Sequence, residues 1–113
     1  MNILFRTNRM EKTFNSEVLL RKAYGDDQSR VIARRMSVLR AATCLAEVPV
    51  TKPERRHELT GRNKGMFAVD LKQPYRLVFE PLCSAGELPK KEDGGLDLVK
   101  IDTVVVLAVE DYH

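Results

Sequence analysis

The stretch MFAVDLKQPYRLVF, residues 66–79, contains two short runs with a large apolar side chain at every second position. Because successive side chains of a strand point to opposite sides, each run presents one apolar face. The residues of the two faces are Phe67, Val69 and Leu71, then Tyr75, Leu77 and Phe79. Residues 72–74 suit a short turn, so the stretch predicts a β-hairpin.

The residues before this hairpin have a different, helical pattern. A short strand is expected at residues 1–7, followed over residues 8–24 by a helix in two pieces. Asn15 or Ser16 can cap the second piece, since short polar side chains accept from the first free amides. Gly25 lies where a left-handed residue ends a helix.

A longer amphipathic helix is predicted to begin at Asp26 and Asp27 and to end at about Glu47. The two carboxylates favour its positive N-terminal end. Its apolar stripe comprises Val31, Ile32, Met36, Val38, Leu39, Ala42 and Leu45. Arg35 falls inside the stripe, and we expect its stem to cover the core edge and its head to reach water.

The residues after the hairpin complete the sheet. Pro81 is expected to end the second strand, and residues 83–100 form a long polar hairpin loop to which we assign no chemistry. Residues 103–109 are β-branched on both faces, as in a strand at the middle of a sheet. The sequence therefore predicts one α+β domain over residues 1–113, with N-terminal helices packed on a curved, mainly antiparallel β-sheet.

Composition excludes several classes of protein. The 113 residues are 43% hydrophobic and 31% charged, which is typical of a globular chain rather than a disordered one. The longest apolar run is too short to span a bilayer, and the first residues lack the pattern of a secretory signal, so we expect a cytoplasmic protein with no membrane partner. Cys44 and Cys83 are not arranged with the two histidines as a metal site, and we expect no metal and no cofactor.

The positive charge is concentrated in the middle of the chain. Residues 52–76 hold seven basic and three acidic residues, a net charge of +4 within a total of +3. Such a segment suits a polyanionic partner such as nucleic acid, although a merely solvated basic face has the same composition. RNA can be cut with this inventory, because its own 2′-hydroxyl is the nucleophile and the protein supplies a base, an acid and a cation. DNA would need metal-activated water instead.

Four elements of the sequence resemble the HigB branch of the RelE/ParE toxin superfamily. They are residues 57–65 (HELTGRNKG), 67–71 (FAVDL), 74–79 (PYRLVF) and 110–113 (EDYH). The resemblance implies a compact fold of helices on a curved sheet, ribosome-dependent cleavage of mRNA and a HigA-like helix-turn-helix antitoxin as partner. The loop at residues 83–100 departs from the family, in which this connection is a tight turn.

The resemblance also implies roles for individual residues. Lys64 and Arg76 match the cations that would hold the scissile phosphate and steady the charge of its transition state. His113 and Asp111 would move protons, without a decision on which is base and which is acid. Tyr112 would stack on a base or position the phosphate.

Further matches and the charge pattern extend this candidate site. His57 begins the first matching element and is included among the catalytic candidates. Arg55, Arg56 and Arg62 are expected at the rim of the cleft as RNA-binding residues. If the last strand is regular, Asp111 and His113 share a face, and the negative charges around His113 favour a protonated imidazole that can donate to the leaving oxygen.

Each of these residues has a simpler interpretation. Lys64 can be solvated, and Arg76 can form a cross-strand ion pair. His57 can satisfy backbone groups, Tyr112 can be a core ring, and His113 can be frayed. The superfamily also contains gyrase-poisoning members, so a non-catalytic binding protein stays the alternative.

Overall fold

The computed structural model describes residues 1–83 and 86–111, and within them it shows an α+β fold with two helices packed on a five-strand mixed sheet. This confirms the predicted class. The helices are α1 (Asn8–Phe14) and α2 (Glu17–Ala41). The strands are β1 (Asn2–Phe5), β2 (His57–Glu58), β3 (Phe67–Asp70), β4 (Tyr75–Leu82) and β5 (Thr103–Asp111).

The order of strands follows from the hairpin and from the apolar last strand. The described sheet has the order β1-β5-β4-β3-β2, and the predicted hairpin is the antiparallel pair β3–β4. As predicted, β5 lies inside the sheet, between β1 and β4. Only the β1–β5 pair among the described strands is parallel, so the sheet is mainly antiparallel.

The predicted helix signals are confirmed at the start of α2 but not at its end. The hydroxyl of Ser16 accepts from the amide of Leu19, and Gly25 interrupts the helix with a positive φ of 82°. The helix was expected to continue to about Glu47 but ends at Ala41, so that prediction was wrong.

Side-chain and backbone bonds explain this early end. The amide and hydroxyl of Thr43 both donate to the carboxylate of Glu47, at 2.8 and 2.6 Å. The amide of Leu45 donates to the carbonyl of Ile101 at 2.8 Å. These bonds stabilise a separate 3-10 turn, Leu45–Glu47, which still buries Leu45 in the core.

The main core lies between α2 and one face of the sheet. Its fully buried side chains include Ile32, Met36, Leu39, Leu77, Phe79, Val104 and Val106. A smaller apolar cluster on the opposite face comprises Leu59, Ala68 and Val78, with Met66 and Leu107 packed against it. We call this opposite side, which no described helix covers, the helix-free face.

Pro81 does not end β4, contrary to our expectation, because the strand continues to Leu82. β3 pairs with β4 only as far as Phe79, so at Pro81 no residue of β3 requires an amide donor. The described part of the connection at 83–100 makes a small hairpin of its own: Lys91 and Gly95 share a hydrogen bond of 2.7 Å.

Arg35 differs most from the sequence-based expectation. Only 8% of this residue is exposed, and its Nε donates to the backbone carbonyl of Asp70 at 2.6 Å. Its head therefore ties α2 to the end of β3 instead of reaching water.

Replacing Arg35 should show that this bond contributes to stability. Arg35→Ala is expected to lower the free energy of unfolding by about 2 kcal/mol, because a charged hydrogen bond and a buried stem are both lost. Arg34→Ala, at an exposed neighbour, should change it by less than about 0.5 kcal/mol. Urea unfolding measures both, and equal losses would contradict the assigned contact.

Candidate functional site

The hairpin register places several candidate residues on the helix-free face. Asp70 of β3 lies opposite Arg76 of β4, which in turn lies opposite Glu110 of β5. The next row contains His57, because His57 is paired with Ala68, which is opposite Val78. Side chains of paired residues share a face, and Arg76 is two residues from Val78 on β4. His57 and Arg76 therefore lie on the same side of the sheet.

Arg76 is engaged by a carboxylate across the strands. Its Nε and Nη2 both donate to one oxygen of Glu110, Oε1, at 2.9 and 2.6 Å. The two side chains are 18% and 34% exposed, so the pair is partly shielded from water. The cross-strand ion pair that is the simpler interpretation of Arg76 is therefore present, and any anion that binds Arg76 must meet Glu110.

A second pair continues this row toward the sheet edge. Arg55 donates from Nε and Nη2 to the two carboxylate oxygens of Asp70, at 2.7 and 2.8 Å. The amide of Asp70 donates to the carbonyl of Glu54 at 2.8 Å, which fixes the segment before β2 against β3. Charges thus alternate across the helix-free face along what we call the charge ladder, which consists of Arg55, Asp70, Arg76 and Glu110.

The contact that His57 makes through Nδ1 determines the role of its other ring nitrogen, Nε2. Its Nδ1 lies 2.7 Å from the carbonyl oxygen of Arg55. A carbonyl only accepts, so Nδ1 carries the proton and donates. In the neutral ring Nε2 is then the acceptor, which is the state that a general base requires.

The other basic candidates have different surroundings. Arg62 and Lys64 are exposed in the connection between β2 and β3, Arg62 within the 3-10 turn Gly61–Asn63 and Lys64 directly after it. The Nε of Arg56 donates to the carbonyl of Val48 at 2.9 Å, and burial lowers the pKa of its guanidinium. Arg56 is thus half-buried and holds a loop, while Arg62 and Lys64 offer their charge to solvent.

The structure describes only the first of the three C-terminal candidates. Asp111 ends β5 opposite Tyr75, on the face away from Arg76, because alternation puts Glu110 and Asp111 on opposite sides. Tyr112 and His113 lie outside the described residues. The structure therefore places His57, Arg55 and Arg76 on one face of the sheet and Asp111 on the other.

Sequence reasoning missed Asp70 and Glu110 as members of the site. Asp70 could have been found, because a turn at residues 72–74 puts it opposite Arg76. Glu110 could not, since its pairing with Arg76 depends on a β-bulge between Val78 and Phe79 that shifts the register of β5.

Two further findings concern residues 1–83 and 86–111. No group of three or more His, Cys, Asp and Glu side chains in these ranges is arranged to hold a metal ion. Neither described helix is both long and apolar enough to cross a membrane.

Comparison with known proteins identifies a similar fold. No protein-family model matches the chain, and no curated protein matches it. Among solved structures, the chain is similar to a YoeB/ParE toxin from Agrobacterium tumefaciens, with a TM-score of 0.55 and 12% sequence identity over 100% of both chains. The two chains share the arrangement of helices on a mixed sheet.

The charge ladder should contribute to stability through Asp70. Asp70→Asn is expected to lower the free energy of unfolding by about 2 kcal/mol, because Arg55 would lose a charged partner at a partly buried site. Asp93→Asn is the matched control, since its side chain is 72% exposed and lies 3.9 Å from Lys91. A loss no larger than that of the control, in denaturant titrations, would contradict a structural role for the pair.

Proposed function

We propose that this chain is the toxin of a toxin–antitoxin pair. More particularly, it acts as a HigB-type endoribonuclease that cuts mRNA on the ribosome. The observation that carries the proposal is the similarity of fold, over the whole length of both chains, to a structure named as a YoeB/ParE toxin. The sequence elements around His57, Lys64 and Arg76 add the ribonuclease branch to that fold.

The proposed reaction uses groups on and around the helix-free face. Arg76 and Lys64 bind the scissile phosphate and stabilise the charge that develops on it. A base removes the proton of the 2′-hydroxyl, and His57 is proposed for this role because the contact of Nδ1 with the carbonyl of Arg55 makes Nε2 the acceptor of the neutral ring. His113 gives a proton to the departing 5′-oxygen, and Tyr112 stacks on a base.

The proposed partner is a small helix-turn-helix antitoxin of the HigA type in the cytoplasm. A ribonuclease without an inhibitor would damage its own cell, so a tight protein complex accompanies the activity. Exposed apolar side chains on α2, Val18 at 65% and Leu19 at 42%, are available for such a contact. Arg55, Arg56 and Arg62 are proposed as contacts to RNA.

A second candidate function is that of a gyrase-poisoning, ParE-like toxin without ribonuclease activity. Two observations favour it: the solved relative carries both names, and the guanidinium of Arg76 is already neutralised by Glu110. A DNA-supercoiling assay with purified gyrase separates the two functions.

Cell-free translation tests the ribonuclease proposal directly. Adding the full chain should stop protein synthesis and produce new mRNA 5′ ends within the translated region, while the same mRNA without ribosomes stays intact. Cleavage should persist with a chelator of zinc and manganese when Mg²⁺ is kept in excess for ribosome integrity. Intact mRNA beside inhibited gyrase would support the second candidate, and activity restored only by added zinc or manganese would contradict the metal-free reaction.

Changes at the proposed catalytic residues should reduce cleavage strongly. Two variants, one lacking His113 and the other carrying Lys64→Ala, are each expected to cut mRNA about 10²- to 10⁴-fold more slowly. This is the range for loss of an acid, a base or an oxyanion partner. Lys12→Ala is the matched control, because it removes the same charge from an exposed position on α1. Full toxicity of a folded chain without His113 would remove that residue from the mechanism.

A further inference from the structure

We propose that Glu110 occupies the phosphate position of Arg76 in the free protein, so that an incoming phosphate must exchange with this carboxylate. The inference rests on the proposed function only in taking the phosphate to belong to RNA. It makes Glu110 a regulator of anion affinity at this site, a role that the sequence elements do not assign to it.

The contact geometry supports such an exchange. The carboxylate oxygen of Glu110 accepts from Nε and Nη2, which together form one edge of the guanidinium. A phosphate oxygen binds an arginine through the same kind of donors, with similar distances and directions. Carboxylate and phosphate therefore compete for one edge of Arg76.

The surroundings make Glu110 the side chain that moves. Asp70, the other carboxylate opposite Arg76, is 15% exposed and is held by two bonds from Arg55. Glu110 is 34% exposed and can turn to water without opening the core. An anion can thus displace Glu110 while Asp70 and Arg55 keep their positions.

The exchange also has an electrostatic consequence. In the free protein the charge ladder is neutral, with two arginines and two carboxylates. When a phosphate binds, the released carboxylate is a negative charge close to it, which weakens the attraction. Removal of that charge by Glu110→Gln should strengthen phosphate binding, because Gln keeps an acceptor but has no net charge.

Titration with inorganic phosphate tests the exchange without reference to RNA cleavage. The Nε–H signal of Arg76 in ¹H–¹⁵N NMR spectra is followed at constant ionic strength for the full-length chain and for Glu110→Gln. We expect about five-fold tighter phosphate binding in the variant, the upper end for a partly exposed ion pair. Without Arg76 the gain should disappear: the double variant Arg76→Ala/Glu110→Gln should bind phosphate no more tightly than Arg76→Ala. Backbone signals of β4 and β5 measure phosphate binding in these two variants.

Glu80→Gln is the matched control. Glu80 lies on β4 four residues from Arg76, opposite Val105, so its replacement removes the same charge from the same sheet without touching the ion pair. A gain from Glu80→Gln as large as that from Glu110→Gln would overturn the proposal, since it would reflect overall charge alone. Glu110→Ala is a second variant that removes the same carboxylate, and circular dichroism verifies that both Glu110 variants fold.

The outcomes separate this inference from the proposed function. Tighter phosphate binding by Glu110→Gln, with no mRNA cut by either protein, supports the exchange and contradicts the ribonuclease. Unchanged or weaker phosphate binding overturns the exchange even where the chain cuts mRNA.

Discussion

Asp70 connects three parts of the chain through one residue. Its carbonyl accepts from the buried Arg35 of α2, its amide donates to Glu54, and its carboxylate holds Arg55. The helix layer, the segment before β2 and the central hairpin thus meet at the end of β3. Because the hydrogen-bonding groups of the backbone and the side chain are used together, a change here affects the helix packing and the helix-free face at once.

Asp70 also affects which carboxylate pairs with Arg76. Hairpin register puts Arg76 opposite Asp70, while Arg55 occupies the carboxylate that would otherwise pair with it. Arg76 instead forms its ion pair with Glu110, on the neighbouring strand β5. The basic excess of the middle segment is consequently less available than composition indicates, since Lys72 is also paired, with Asp27 at 3.0 Å. The exposed charge that remains includes Arg62 and Lys64 in the β2–β3 connection.

Local signals predicted most of the fold. The alternation in residues 66–79, the Ser16 cap and the left-handed Gly25 each depend on neighbours within a few residues, and all three are confirmed. The wrong predictions involve distant partners. The end of α2 depends on a bond from Leu45 to Ile101, and the burial of Arg35 depends on the carbonyl of Asp70, neither of which a periodic pattern contains. For the candidate site, the sequence indicated His57 and Arg76 as candidates but not Asp70 and Glu110, the two carboxylates opposite Arg76.

Glu110 could not be predicted because of the β-bulge between β4 and β5. Val104 and Val106 face the main core, and beyond the bulge Val109 does so, three residues later instead of two. A one-residue shift moves every following side chain to the other face of the sheet. Without it, Val109 would lie opposite Arg76, and Glu110 would point toward the helices. Because residues 103–109 are apolar on both faces, the sequence carries no mark of this shift, although the neutral charge ladder depends on it.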